Sequence, residues 1–183
     1  MLTEMATVDK KILRREVRER LATLDAKDKC ARSAAICAAV KKHLAVSNAR
    51  VVAIFSPLGY EPDVWPLVEG LAGVVSVVLP RVEGGVMNFY VYDKNSMAIG
   101  SFGINEPQNG LAVSPCEIDA VVVPGLAFTK CGARMGRGKG YYDKYMADGD
   151  FSALKIGVCY REQLVPDIPV EEHDIMMDVV IYE

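Results

Sequence analysis

Gly125-Leu-Ala-Phe-Thr-Lys-Cys-Gly-Ala-Arg-Met-Gly-Arg-Gly-Lys-Gly-Tyr-Tyr-Asp143 joins a strand-like run to a helix-like one. The run before it, Ile118-Asp-Ala-Val-Val-Val-Pro124, is β-branched and stops at Pro and Gly, which predicts a buried strand. Tyr142-Asp-Lys-Tyr-Met146 predicts the start of a helix. Glycines 132, 136, 138 and 140 are interleaved with Arg134, Arg137 and Lys139. Glycine tolerates positive φ and lets a ligand approach the main chain, and N–H groups near a helix start form a concavity for anions. Arg grips phosphate oxygens with a planar fork and Lys follows charge as it moves, so this composition suits a polyphosphate. A flexible surface turn with solvated charges is the alternative.

Spacing excludes two common phosphate motifs. A P-loop has four residues between its glycines and then Gly-Lys-Ser/Thr, whereas Gly132 to Gly138 encloses five and Lys139 is followed by Gly140. A dinucleotide fingerprint has two residues between its last glycines, but Gly136, Gly138 and Gly140 alternate with single residues. A nicotinamide cofactor is unsupported.

Outward from this junction, strands and helices alternate. Asp9 can cap a helix through residue 24, with Leu13, Val17, Leu21 and Leu24 as one stripe. Lys10, Arg14 and Arg18 form a second, basic stripe that faces either an anionic pocket or water. Asp25 opens a second helix to about residue 46, with Ala34, Ile36, Cys37, Val40 and Leu44 as its apolar side. Residues 50–55 predict a strand, 56–62 its loop and 63–71 a helix. Glu61 thus lies where ligands gather at strand ends, or serves as an acid at a helix N-terminus. Residues 74–79, closed by Pro80, predict a strand, 86–92 an antiparallel or edge strand, and 99–115 a long loop. Strands at 153–160 and 177–182 end the chain, separated by a loop carrying Gln163 and a polar turn over 170–174. The alternation predicts one α/β domain over residues 1–183, with a mainly parallel central sheet flanked by helices.

At 183 residues such a domain buries roughly 70% of its unfolded surface. Lys+Arg total 21 against 24 Asp+Glu, a net charge of -3, which argues against a nucleic-acid or membrane binder. Cys30, Cys37, Cys116, Cys131 and Cys159 show neither a disulfide framework nor metal-site spacing. No stretch reaches about 18 uninterrupted apolar residues, and the first residues lack a signal pattern, so a soluble cytoplasmic protein is expected.

Val123-Pro-Gly-Leu-Ala-Phe128 followed by Gly132-Ala-Arg-Met-Gly-Arg-Gly-Lys-Gly-Tyr-Tyr-Asp143 resembles the signature of the 5-formyltetrahydrofolate cyclo-ligases. Lys10-Lys-Ile-Leu-Arg14, Phe102-Gly-Ile-Asn-Glu-Pro107 and the ending from Gln163 through His173-Asp174 to Asp178 extend the resemblance over nearly the whole chain. It implies a NagB/RpiA/CoA-transferase-like fold. It also implies a monomer that closes 5-formyltetrahydrofolate to 5,10-methenyltetrahydrofolate with ATP and Mg²⁺, releasing ADP and phosphate.

The implied ATP contacts are Lys10, Arg14, Arg134, Met135, Gly136, Arg137, Gly138, Lys139, Gly140, Tyr141 and Tyr142. The implied folate contacts are Ser56, Glu61, Arg137, Gly138, Lys139, Gly140 and Tyr141. Arg134 and Lys139 would be catalytic. Asp143 and Asp174 would hold magnesium, where the residues alone equally allow a helix cap and a turn acid. Arg18 is left as surface and Glu106 as a residue orienting its loop. Phe102 and Ile104 either cover an aromatic ligand or anchor the core. The family usually has aspartate where Thr129 stands and often arginine where Lys144 stands. A non-catalytic folate or nucleotide binder and a metal-free sugar-phosphate isomerase are the competing readings.

Overall fold

In the computed structural model, which describes residues 9–100 and 103–183, two aspartates open the N-terminal helices. Asp9 accepts from the Lys11 N–H at 2.7 Å to cap α1, Lys10–Ala22. Asp25 accepts from the Asp28 N–H at 2.8 Å to cap α2, Ala26–Ser47, which ends on Asn48 in the left-handed region. Leu13, Val17 and Leu21 are buried along α1, as their spacing predicts, and Leu24 is half-buried. On α2 Ile36, Cys37, Val40 and Leu44 are buried as expected, but Ser33 faces inward and Ala34 is exposed. The serine is stable there because its hydroxyl meets Tyr160 Oη at 3.0 Å and accepts from the Asp63 N–H at 3.0 Å.

The strands are β1, Val51–Ala53; β2, Ser76–Glu83; β3, Val86–Val91; β4, Met97–Ile99; β5, Asn105–Pro107; β6, Ala120–Val123; β7, Ala127–Phe128; β8, Arg134–Met135; β9, Leu154–Cys159; and β10, Val179–Tyr182. Two short helices, α3, Trp65–Leu71, and α4, Tyr141–Met146, complete the layers. The main sheet has the order β10-β9-β6-β1-β2-β3 and is parallel except for β3, which pairs antiparallel to β2 at the edge. Buried apolar residues fill both faces of the sheet. Continuous β-branched runs such as Val121-Val-Val123 suit strands covered on both sides. The expected α/β class, with a mainly parallel central sheet flanked by helices, is therefore correct. No helix among the described residues is long and apolar enough to cross a membrane.

Three expectations are corrected. Pro80 does not close its strand: β2 runs through it to Glu83, with Pro80 opposite Phe89. The Val77 carbonyl accepts from the Tyr92 N–H, so alternate residues including Pro80 face the β1 side. The Ile54 N–H to Val78 carbonyl bond is the last rung of the β1–β2 ladder, since the next would need an N–H at position 80, so the proline ends pairing with β1 while β2 continues against β3. The segment 99–115 is not simply a loop, because β5 folds back on β4 with Ala98 opposite Glu106. The glycine-rich stretch also contains a hairpin, with Phe128 of β7 opposite Arg134 of β8. Phe102 lies outside the described residues.

β1 and β6 are parallel neighbours, Val52 opposite Ala120. Their carboxyl ends therefore release two loops side by side, one carrying Ser56 and Glu61 and the other Gly125.

Candidate active site

Those two loops and the glycine-rich stretch enclose a cavity of about 310 Å³. Phe55, Ser56 and Glu61 come from the β1 loop, Pro124 and Gly125 from the end of β6, and Arg134, Gly136, Arg137, Lys139 and Gly140 from the glycine-rich stretch. Tyr141, Tyr142 and Asp143 add the start of α4. Pro80, Val82 and Met87 from the β2–β3 hairpin and Ile104 and Glu106 from the β5 region form a mostly apolar opposite wall. An apolar wall facing a few charged groups suits a flat heterocycle with a polar end.

The glycine-rich stretch is held from beneath. At the hairpin turn Thr129 Oγ1 accepts from the Ala133 N–H at 3.0 Å, so the threonine performs the loop-stabilising task expected of an aspartate there. Gly132 has φ +97, and a Cβ on it would lie 2.3 Å from the Met177 carbonyl oxygen. Its own carbonyl accepts from the Met177 N–H at 2.8 Å, tying the turn to the segment before β10. Gln163, fully buried, donates to the Gly125 carbonyl at 2.8 Å and accepts from the Tyr160 N–H at 2.8 Å. It fixes the cavity floor through the backbone, a role invisible in the residue type alone.

Two cation–acid pairs line this cavity, and a third joins α1 to the segment before β10. Arg134 is buried and donates to Asp143 Oδ2 at 2.6 Å and to the Pro124 carbonyl at 3.3 Å. Arg137 donates to Glu61, whose side chain is 1% exposed, and its guanidinium stands 5.4 Å over the Tyr60 ring. Lys10 donates to Glu171 at 2.6 Å and to Asp174 at 3.2 Å. Arg14 reaches the glycine-rich stretch through the Gly136 carbonyl at 3.2 Å. The Ile175 N–H donates to Asp143 Oδ1 at 3.2 Å, which brings the backbone beside Asp174 against Asp143.

Burial pushes the Glu61 carboxyl up despite the opposing pull of Arg137 and the Leu58 N–H. Burial likewise raises the Tyr142 phenol, aided by the Glu61 charge and opposed by Arg134 and Arg137. Burial also acts to raise Asp174, but the Glu171 N–H and Lys10 together hold it below the usual aspartate range. The hydrogen bond from Lys10 lowers Glu171.

The expected residues thus divide. Lys139 and Arg137 are exposed on the cavity side, and Gly138 has φ +109 with open space where a Cβ would stand. Arg134 lies deeper than an exposed phosphate grip requires, and its Nε is buried with no partner. Met135 is buried, leaving its main chain for contact. Ser56 Oγ donates to the Asn105 carbonyl at 2.7 Å, linking the β1 loop to β5. Arg18 is exposed, as expected. Ile104, one of whose two readings was to cover a ligand, lines the cavity, whereas the contacts of Glu171 and Gln163 and the Pro80, Val82 and Met87 part of the wall were not anticipated. The acidic run Glu171-Glu-His-Asp174 was the available hint for the contact of Glu171.

For a metal the donor set is two carboxylates, and among the described residues no group of three or more His, Cys, Asp and Glu side chains gathers. Oxygen-only donors in that number fit Mg²⁺, which keeps waters and substrate oxygens around it.

A family model described as the 5-formyltetrahydrofolate cyclo-ligase family matches residues 6–183. A 5-formyltetrahydrofolate cyclo-ligase of Mus musculus is 28% identical over 197 residues, covering 95% of this chain and 93% of the relative. One of Saccharomyces cerevisiae is 31% identical, covering 97% and 95%. The NMR structure of Aquifex aeolicus 5,10-methenyltetrahydrofolate synthetase superposes with a TM-score of 0.84 at 32% identity, covering 94% of this chain and 89% of that one.

Proposed function

The chain belongs to the 5-formyltetrahydrofolate cyclo-ligase family, and from that premise we propose that it closes 5-formyltetrahydrofolate to 5,10-methenyltetrahydrofolate at the expense of ATP. The observation that carries the site assignment is the pairing of cations with acids, two pairs on the cavity and a third on the segment that meets Asp143 through the Ile175 N–H. Lys10, Arg134 and Arg137, the cations assigned to ATP, are each held by an acid assigned to magnesium or folate: Asp174, Asp143 and Glu61. Such a site exchanges partners on loading: Lys10 and Arg137 turn to phosphate oxygens and release Asp174 and Glu61 to their own ligands, while Arg134 stays on Asp143.

A formyl amide is a weak electrophile and hydroxide a poor leaving group. Transfer of the γ-phosphoryl group to the formyl oxygen breaks the bond to ADP and turns that oxygen into a phosphate ester, leaving an iminium-like carbon. N10 of the same folate attacks that carbon and loses its proton. The carbon–oxygen bond then breaks with its electron pair going to phosphate, which gives the N5–CH–N10 cation. Both reactive partners belong to one substrate, so the protein's contribution is positioning and charge stabilisation.

Lys139 and Arg137, on the cavity side, meet the phosphates as charge develops. Arg134, buried on Asp143, acts chiefly by fixing that carboxylate. Lys10 and Arg14 close the site from α1, excluding water from a hydrolysable intermediate. Asp143 and Asp174 would hold Mg²⁺, which neutralises phosphate charge when bound. Glu61 and the apolar wall take the folate. The working unit proposed is a monomer. The free cysteines suit the cytoplasm.

The test mixes pure protein with 5-formyltetrahydrofolate and MgATP. The expected result is ATP-dependent growth of the methenyl chromophore with one ADP per turnover. Folate binding without that chromophore would replace the ligase with a binding protein. Conversion of a sugar phosphate in chelator, without ATP, would replace it with an isomerase.

A further inference from the structure

Glu106 is a buried acid that the scheme above leaves without a task. It lies in the middle of β5, is 4% exposed and lines the cavity. Its place is built into the fold, since a Cβ on Gly100 would lie 2.0 Å from Glu106 Oε2, so the glycine leaves room for the carboxyl. The other two acids of the cavity each hold an arginine.

Glu106 has no such partner. The neighbouring Arg81 gives its guanidinium to Glu83 at 2.9 Å and to the Pro107 carbonyl at 3.0 Å, and lies 3.8 Å over the Tyr90 ring. Burial pushes the Glu106 carboxyl up, against Arg81 and the Val82 N–H. The walls around it, Pro80, Val82, Met87 and Ile104, are apolar. A buried acid without a cation on it destabilises the fold, whereas one that lines a ligand cavity gains a further partner on binding.

We propose that Glu106 is a specificity residue that hydrogen-bonds the polar edge of the substrate's pterin ring, with the ring seated between the apolar walls of the cavity. The proposal rests on the folate reading above. The pterin edge presents a lactam N–H, a carbonyl and an amino group. A carboxyl accepts from the N–H and, when protonated, also donates to the carbonyl. An amide side chain reproduces that pattern of donor and acceptor, and a hydrocarbon side chain cannot. The cationic end of the cavity is then left for the phosphates.

The experiment measures KM for 5-formyltetrahydrofolate and for ATP, together with thermal unfolding, in wild type, Glu106→Gln and Glu106→Leu. Glu106→Gln is expected to keep the folate KM within about threefold of wild type. Glu106→Leu is expected to raise it at least about tenfold, with the ATP KM within about twofold in both. If Glu106→Leu does not fold, Glu106→Met, of similar length, carries the same comparison. Wild type should also discriminate against a substrate methylated on the lactam nitrogen, and the apolar variant should lose much of that discrimination. A folded apolar variant with an unchanged folate KM overturns the proposal. So does a rise shared equally by the folate and ATP KM values and by the Gln and Leu variants, the mark of a structural residue. Absence of any chromophore from wild type would instead overturn the ligase reading itself.

Discussion

Removing Arg137 should cost stability in a way that depends on pH. The Glu61 side chain is 1% exposed, and besides Arg137 it accepts only the Leu58 N–H at 2.9 Å among its described hydrogen bonds. In Arg137→Ala that carboxylate is buried without a cation. Breaking a buried pair from one side typically costs about 3–5 kcal/mol. Arg137 is itself 36% exposed, which moves the expectation to about 2–3 kcal/mol. A ceiling follows from protonation: the acid escapes by taking up a proton, which from an ordinary value near 4.3 costs about 3.7 kcal/mol at pH 7 and about 1 kcal/mol at pH 5.

The sign follows from linkage. An acid whose folded pKa lies above its unfolded one favours the folded state only while both are protonated. The deficit of Arg137→Ala should therefore be small at and below the ordinary carboxyl range and open as pH rises above it. Burial already raises Glu61 in the wild type, and the substitution removes the opposing pull. At this chain length the loss corresponds to a fall in Tm of about 4–12 °C at pH 7. Urea and thermal unfolding, followed by circular dichroism at pH 7 and pH 5, measure it. The Glu61→Gln, Arg137→Ala double variant should regain most of the loss, because no charge remains to be stranded. A single variant as stable as wild type at pH 7, or a deficit undiminished at pH 5, would refute the reasoning.

Lys139→Ala should lower kcat by at least about a hundredfold while leaving Tm within about 2 °C, since Lys139 is an exposed residue of the cavity rim. Near-wild-type turnover in steady-state assays would count against its role. Gly132→Ala should lose roughly 2–4 kcal/mol in urea unfolding, because φ +97 disfavours a side chain and the new Cβ meets the Met177 carbonyl. An unchanged midpoint would mean that the turn is not fixed as described. Gln163→Leu leaves the Tyr160 N–H and the Gly125 carbonyl without their buried partner, and a loss of about 2–4 kcal/mol is expected from the same measurement.

Much of the fold is legible from local chemistry. The β-branched runs, Asp9 and Asp25 as caps, and the strand-loop-helix junction follow from side-chain periodicity and donor counts alone. The interruptions are less so. Pro80 reads as a stop because a missing N–H breaks a ladder, and it does end the pairing with β1, but β2 continues because its other edge is held by β3. β5 lies in a Gly- and Asn-rich segment whose pairing with β4 depends on a contact between strands, which no local pattern encodes.

The site divides along the same line. The interleaved glycines and cations single out the segment proposed to meet a polyphosphate, and the resemblance adds Glu61 and the two aspartates. What sequence spacing cannot supply is which acid each cation holds across the fold. Lys10 reaches Asp174 over 164 positions and Arg137 reaches Glu61 over 76. The depth of Arg134 is equally hidden, because nothing in its neighbourhood of glycines distinguishes a buried arginine from an exposed one. Gln163 is visible as a residue type, but its role lies in the two backbone groups it joins.

The most direct measurement is a structure of the protein with Mg²⁺ and a non-hydrolysable ATP analogue. The account predicts Arg137 drawn off Glu61 and Lys10 drawn off Asp174, both turned to phosphate oxygens, with Asp143 and Asp174 on the metal. The nucleotide bound elsewhere, with the Lys10–Asp174 and Arg137–Glu61 pairs intact, would contradict it.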